Sequence, residues 1–334
     1  MEDKARRLHQ DALVIDTHCD TLLRVLGRAP YQQQQHEPYR LADRHEEGHI
    51  DLPRLKEGGV DVQFFAAYIE PIFKPDRALK RTMQIFDAFF TELEANSDSM
   101  LLATTVQDII TAKEQGKIAA VLAIEGGEAL EGDMGVLRMF HRLGVRSIGL
   151  TWNERNDIAD GVGDSRSNGG LSAFGAAVIE EMNRLGILVD VSHLSDAGFW
   201  DVIEISKHPI IASHSNARAV CNHRRNLNDE QIQALAKNGG VMGMNFAAGF
   251  VKEDGKPTLD DLLDHIDHIV QLVGPHHVGL GSDFDGIGAT PEGLNDVTAM
   301  PLITEGLLKR GYSDEHIRLI LGGNYLRVFR EVWG

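Results

Sequence analysis

Six side chains able to bind cations or move protons stand at the ends of five short apolar runs: His18 with Asp20, Glu125, His193, His214 and Asp283. Taken singly, a histidine at the end of such a run reads as a hydrogen-bonded core residue, and a lone His-x-Asp carries little information. Five runs that all end in ligand-type residues are a different pattern, because a purely structural core gains nothing from burying acids there. Imidazoles suit zinc, and carboxylates bridge ions. Crowded carboxylates repel unless cations neutralise them. Six candidates exceed what one tetrahedral ion takes, so the set points to two ions. Such a pair, ~3.5–4 Å apart, would hold a bridging hydroxide and clamp a substrate oxygen.

These residues must be brought together by the elements that carry them. Eight apolar runs recur along the chain, at 14–20, 60–69, 118–126, 145–152, 186–193, 209–215, 240–246 and 277–286. Amphipathic stretches lie between them, among them Arg77–Glu94, Ser172–Leu185, Asp196–Ser206, Asp229–Asn238 and Leu259–Val273. Near-continuous apolar runs suit strands covered on both faces. Eight strand–helix units in series predict a closed (β/α)8 barrel, in which the strand ends converge on one rim. The runner-up is an open doubly wound sheet, which the lack of a Gly-x-Gly-x-x-Gly after the first run disfavours. Along a strand side chains alternate, so His18 and Asp20 share a side and Cys19 faces away. No linker divides the chain, so residues 1–334 are expected to form one barrel domain, with 1–12 as an N-terminal extension. The two long segments 27–50 and 153–170 would lie over the mouth as lids or mobile loops.

The balance of 33 basic against 50 acidic residues leaves a net charge of −17. With no basic stripe, nucleic acid and anionic membranes are excluded as partners. The first residues, MEDKARRLHQ, contain no apolar signal core, and no apolar run reaches the ~20 residues of a membrane span. Two cysteines, Cys19 and Cys221, make no disulfide framework, so a cytoplasmic location is expected.

The strings IDTHCD, AIEGG, VDVSH, ASHS, CNHRRN and GSDFDG, with DLPRLKEGGVDVQFFA at 51–66, resemble the membrane (renal) dipeptidase family of binuclear zinc peptidases, here as a soluble member. The likeness runs in matching order from about residue 13 to the C-terminus. The resemblance implies a (β/α)8 barrel, two Zn2+ per subunit, a homodimer, and hydrolysis of dipeptides with tolerance for a D-residue at the C-terminal position. It implies that His18 and Asp20 bind one zinc, His193 and His214 the other, and that Glu125 bridges them. Asp283 would carry the proton from the bridging water to the leaving amine, and Arg225, the second arginine of CNHRRN, would hold the substrate's free carboxylate. A guanidinium fork suits that task. Read without the resemblance, Arg225 is a surface loop residue.

One position departs from the family pattern. Where well-known members carry a substrate-contacting histidine, GLTWNERN places Trp152. Tryptophan donates one hydrogen bond and accepts none. It is expected to form an apolar wall for the substrate, with Asn153 supplying a polar contact. This keeps open an alternative function, hydrolysis of another small amide, lactam or lactone on the same centre. A silent metal- or peptide-binding protein is disfavoured, since no ligand position is missing. The remaining candidates receive plain readings. Asp190 and Ser192 face the helix layer as supporting or packing groups, Asp285-Gly286 is a turn, and His265 and His268 share a solvated helix face. Gln32–Gln35 is a polar loop tip, Cys19 a small buried hydrophobe, and Phe64, Phe65, Phe86, Phe89 and Phe90 are core.

Overall fold

The computed structural model describes residues 2–27, 39–164, 166–253 and 256–334. The Gln32–Gln35 tip lies outside the described residues. Among the described residues there are nine parallel strands: β1 (Ile15–Asp16), β2 (Val62–Tyr68), β3 (Met100–Leu102), β4 (Ile118–Glu125), β5 (Val145–Gly149), β6 (Leu188–Asp190), β7 (Ile211–Ala212), β8 (Val241–Met244) and β9 (Val278–Leu280). Pairing runs β2-β1-β9-β8-β7-β6-β5-β4, and β2 pairs with β4 over seven residues, from Val62–Ala119 to Tyr68–Glu125. That contact closes an eight-stranded ring with helices around it, a (β/α)8 barrel.

The eight ring strands are those expected from the apolar runs, and β3 is the addition. It pairs with the first residues of β4, on the edge that β5 occupies further along. Three residues between two helices are too few for an apolar run to stand out. The regular ladders are also shorter than the runs. β1 ends at Asp16, and beyond it the chain follows β2 through single contacts such as Ala66 N to Cys19 O at 3.0 Å. Five of the six rim residues, all but Glu125 at the end of β4, are therefore carried on strand extensions rather than on ladder positions.

Helices start where side chains can accept from exposed backbone N–H groups. Ser172 and Ser195 cap Ala173–Leu185 and Asp196–Ile205, and Asn228 with Gln231 and Thr258 with Asp261 form reciprocal caps on Asp229–Lys237 and Leu259–Val273. Each such cap contributes about 1 kcal/mol. The helix Glu2–Asp11, in the segment expected as an extension, packs on Met300–Lys309, with His9 Nδ1 2.7 Å from Thr304 Oγ1 and Nε2 2.8 Å from Gly58 O.

Alternation along the strands sorts two cores. Phe65, Ala67 and Leu122 face the helices, whereas Ile15, Val62, Phe64, Val121, Leu188, Ile211 and Val241 face inward with Tyr325 and Phe329 of the last helix, Asn324–Val332. Tyr325 approaches so closely that a Cβ at Gly243 would lie 2.5 Å from its hydroxyl and one at Gly279 2.3 Å from its ring. These two strand glycines leave the space that the plug needs. Among the described residues the barrel is thus filled below the rim, and a cavity opens at its C-terminal mouth.

His265 corrects an expectation. It is fully buried, its Nδ1 accepting from Ala217 N at 3.1 Å and its Nε2 facing Val251 O at 3.0 Å. The imidazole ties two rim loops together rather than facing solvent. His268 lies nearer the surface, 2.7 Å from Asp229. The loop 153–170 is also more ordered than a bare lid, with bridges Ala159–Leu171 and Gly161–Leu194 and a turn of 3-10 helix at Val162–Asp164. No helix among the described residues is long and apolar enough to cross a membrane.

Candidate metal centre

All six rim residues meet at the mouth. His18 Nε2 lies 3.7 Å from Asp20 Oδ2, 3.5 Å from Glu125 Oε2 and 3.9 Å from Asp283 Oδ1. On the other side of Glu125, Oε1 lies 3.0 Å from His193 Nε2 and 3.7 Å from His214 Nε2. Glu125 therefore faces one group with each oxygen. Two sets of three residues, His18–Glu125–His214 and His18–Asp20–Asp283, have donor atoms close enough to share an ion. His193 and Asp283 adopt left-handed backbone conformations, φ 67° and 62°. Such conformations are costly for residues other than glycine and cluster at functional sites.

Hydrogen bonding fixes which nitrogens are left for a cation. Ser213 Oγ donates to Asp190 Oδ2, so its oxygen accepts from His214 Nδ1 at 2.7 Å, and the proton on Nδ1 leaves a lone pair on Nε2. Asn153 Oδ1 lies 3.0 Å from His193 Nδ1 and accepts its proton, which leaves Nε2 of that ring bare as well. The two bare Nε2 atoms stand only 3.0 Å apart. Facing lone pairs repel, and a shared electrophile removes the conflict. His18 Nε2 and Asp20 Oδ1 are buried with no hydrogen-bond partner among the described residues. Orphaned donors and acceptors of this kind are expensive in a native fold unless something binds them. The residues fit a pair of divalent cations.

The electrostatics agree. Burial lowers the His193 pKa to about 3, with Arg225 adding repulsion, and burial with His18 and Arg225 holds His214 well below its usual value. Both rings are neutral, as ligands must be. Burial and the Glu125 charge push Asp20 up to about 8, and burial pushes Asp283 up to about 6, with Glu125 outweighing part of the relief from His18. Burial disfavours charge on both Glu125 and His18, yet their mutual attraction wins, holding the carboxyl well below and the imidazole well above the ordinary ranges. The raised values of Asp20 and Asp283 mark carboxyl groups crowded by burial and the Glu125 charge, a crowding that a cation in place of a proton would relieve.

The expected substrate groups line one cavity of about 210 Å³ over the site, where Trp152, Asn153 and Arg225 join Glu125, His193 and Asp283. Arg225 is buried rather than on a loop surface. Its Nη2 donates to His214 O at 3.1 Å, and its guanidinium lies 5.6 Å from the Phe250 ring centre. Trp152 stands 6.0 Å from the His193 ring and meets Tyr68 edge-on at 5.2 Å. Asn153 commits its oxygen to His193 instead of to the cavity alone.

Several contributors were not singled out from the sequence. Asn245 donates to Asp283 Oδ2 at 2.9 Å, Ser213 orients His214, and Phe250 backs Arg225. Asn245 ends an apolar run as the ligands do, so position was a usable signal; Ser213 and Phe250 carried none. Asp190 and Ser192, expected to face the helix layer, instead join the rim network. Asp190 accepts from the backbone N–H of Ser192 and Ser213, and Ser192 Oγ accepts from His214 N. Asp285 is more than a turn residue. It is buried at φ 65° and accepts from Thr21 Oγ1, Arg24 Nε and His49 N, which ties the ends of the first and last ring strands to the 39–51 loop.

The family model of membrane dipeptidases (peptidase family M19) matches residues 2–333. The dipeptidase verJ of Clonostachys rogersoniana is 38% identical over 345 residues, covering 98% of this chain and 86% of that protein. Dipeptidase 3 of Mus musculus is 35% identical, covering 99% and 67%. Among solved structures, a metallopeptidase of Rhodobacter sphaeroides bound to a phosphinate mimic of L-Ala-D-Ala superposes with a TM-score of 0.85 at 29% identity, covering 97% of this chain and 100% of that one. PvdM of Pseudomonas aeruginosa, described as a probable dipeptidase, gives 0.89 at 25%, covering 99% and 98%. With a match over nearly its whole length and an inward ring of imidazoles and carboxylates at the barrel mouth, the chain belongs to the membrane dipeptidase family.

Proposed function

We propose that this metal-dependent dipeptidase holds two zinc ions and selects short peptides by their free C-terminal carboxylate. His18 and Asp20 would hold one ion, His193 and His214 the other, and Glu125, with one oxygen toward each group, would bridge them. Bound there, zinc supplies Lewis acidity, polarising the scissile carbonyl and acidifying water. The protein's own groups do the rest. Asp283 Oδ1 faces the mouth, where it takes a proton from the attacking water and returns it to the leaving amine. Burial raises the Asp283 carboxyl above its ordinary range, the direction that helps a carboxylate take up a proton. Arg225 binds the substrate carboxylate, held by His214 O and backed by Phe250. Trp152 walls the cavity against the N-terminal residue. At about 210 Å³ the cavity is smaller than the roughly 300–1,000 Å³ of sites for drug-sized ligands, which limits substrates to very short peptides.

The observation that carries this reading is the pair of bare imidazole nitrogens facing each other beside a two-sided carboxylate. The L-Ala-D-Ala mimic in the Rhodobacter neighbour supports acceptance of a D-residue at the C-terminal position. Two buried free cysteines suit a reducing compartment, the cytoplasm. The test is metal analysis with a panel of L-Xaa-D-Xaa and L-Xaa-L-Xaa dipeptides on one preparation. Two zinc ions and turnover are expected. Two ions with no peptide turnover would favour a small amide, lactam or lactone as substrate, and no stoichiometric metal would end both readings.

A further inference from the structure

Beside the metal centre, beyond the wall formed by Trp152, lies a second and larger cavity of about 660 Å³. Five carboxylates line it, Glu128 and Glu154 among them, against two cations, Lys74 and Arg155. Arg155 is committed to Asp160. Lys74 is divided, its Nζ 3.1 Å from Glu128 Oε1 and 3.3 Å from Glu154 Oε2, while it also lies over the Trp152 ring at 5.1 Å and the Tyr68 ring at 5.6 Å. The same ammonium thus touches the acids of the outer cavity and the aromatic wall of the inner one.

Glu128 is the second and independent observation. It is buried (8% exposed), in the turn of 3-10 helix Gly127–Leu130 just past Glu125; its Oε1 is held by the ion pair to Lys74, and its Oε2 has no hydrogen-bond partner among the described residues. One ammonium shared by two carboxylates leaves a negative charge uncompensated in a partly desolvated place. A buried carboxylate in that condition is costly until another cation reaches it.

The ring order says which part of a substrate arrives there. β7, which leads to Arg225, stands across the eight-stranded ring from β2, which leads to Lys74, and β8, which leads to Phe250, stands across from β4, which leads to Glu128. A dipeptide with its carboxylate on Arg225 and its peptide bond at the metal centre therefore directs its N-terminal residue toward Trp152, Lys74 and Glu128. We propose that this acidic side cavity is a specificity subsite for a cationic N-terminal side chain, lysine or arginine, whose charged end joins or displaces Lys74 at Glu128 and Glu154. The proposal rests on Arg225 holding the carboxylate. A four-carbon stem against Trp152 and Tyr68 with an ammonium at the acids would repeat the arrangement that Lys74 already displays.

The test is kcat/KM for Lys-Ala against norleucyl-Ala, which share the stem and differ by the ammonium, measured on the metal-loaded protein and its Glu128→Gln and Glu154→Gln variants. The expected ratio at low salt is about tenfold in favour of lysine, the worth of one charge-assisted hydrogen bond, and about twofold or less in Glu128→Gln. Glu154 is half exposed, so its variant folds even where Glu128→Gln does not, and there too the ratio falls. A wild-type ratio of one or less, a ratio unchanged in the variants, or the same preference for Ala-Lys over Ala-norleucine overturns the subsite. Lys-Ala amide separates the two readings. If it is cleaved as well as Lys-Ala, the Arg225 assignment fails, whereas the lysine ratio and its response to Glu128 are read independently of it.

Discussion

Asn245 Nδ2 donates to Asp283 Oδ2 at 2.9 Å, and the contact leaves Asp283 Oδ1 turned toward His18 Nε2 at 3.9 Å. Asn245 is itself held from both sides, its N–H donating to Asn216 Oδ1 and its Oδ1 accepting from Ala247 N. The carboxylate proposed to carry the proton is thus aimed by an amide that is itself fixed. Asp283→Asn should keep both ions and lose roughly 10²- to 10⁴-fold in kcat, the range for a general acid–base group. Asn245→Ala should also keep the ions and lose roughly ten- to a hundredfold, since a misaimed group reacts slowly. Metal content and kcat on the same samples check both, and full kcat in either variant contradicts the assignment.

The Asp190–Ser213–His214 chain predicts a metal-binding effect without loss of any ligand. Ser213→Ala removes the acceptor of the His214 Nδ1 proton and frees the ring to take the other tautomer. Metal affinity should weaken by roughly 10- to 100-fold. Competition against a chelator measures it, and an unchanged affinity would show that the ring is oriented by packing alone.

Arg225→Leu should raise KM for free dipeptides by roughly 10- to 100-fold, the worth of one or two charged hydrogen bonds. C-terminally amidated analogues have no carboxylate to lose and should change little. Equal effects on both series would remove carboxylate recognition from this residue.

Trp152→Ala opens the wall between the two cavities. KM for dipeptides with an apolar N-terminal residue should rise by about three- to tenfold through lost aromatic contact. Unchanged KM and kcat across the panel would mean that the indole does not touch substrate.

Burial holds the His265 pKa below the ordinary 6.5, a backbone contact with Val251 O opposing it only in part. The folded state keeps the ring neutral, because its Nδ1 must accept from Ala217 N. Below pH 6.5 the unfolded chain binds a proton that folded His265 refuses, so stability falls as pH drops through that value toward the lower folded pKa. Thermal melts at about pH 7.5 and about pH 5.5 should show a smaller acid-induced fall in Tm for His265→Gln than for the native protein. An equal fall in both would assign the slope to other groups.

Much of this protein was legible in one dimension. Alternation and apolar runs identify the eight ring strands, and strand-end position alone selects His18, Asp20, Glu125, His193, His214 and Asp283, because a parallel barrel sends all its strand ends to one rim. What a run of letters does not carry is the distance between loops. β3 was too short to announce itself, and His265 lies on a helix whose exposed face could be judged only once the rim loops were packed over it. Arg225 was indistinguishable from a surface arginine until β7 and β8 were placed side by side and buried it between His214 O and Phe250. The residue types and their order along the chain determined the chemistry available. Only tertiary packing decided which imidazole nitrogens were left bare, through ring N–H groups that donate to Asn153 and to a Ser213 oriented by Asp190, and set Lys74 and Glu128 behind Trp152, since the Asn153–His193, Asp190–Ser213 and Lys74–Glu128 contacts join segments far apart in sequence.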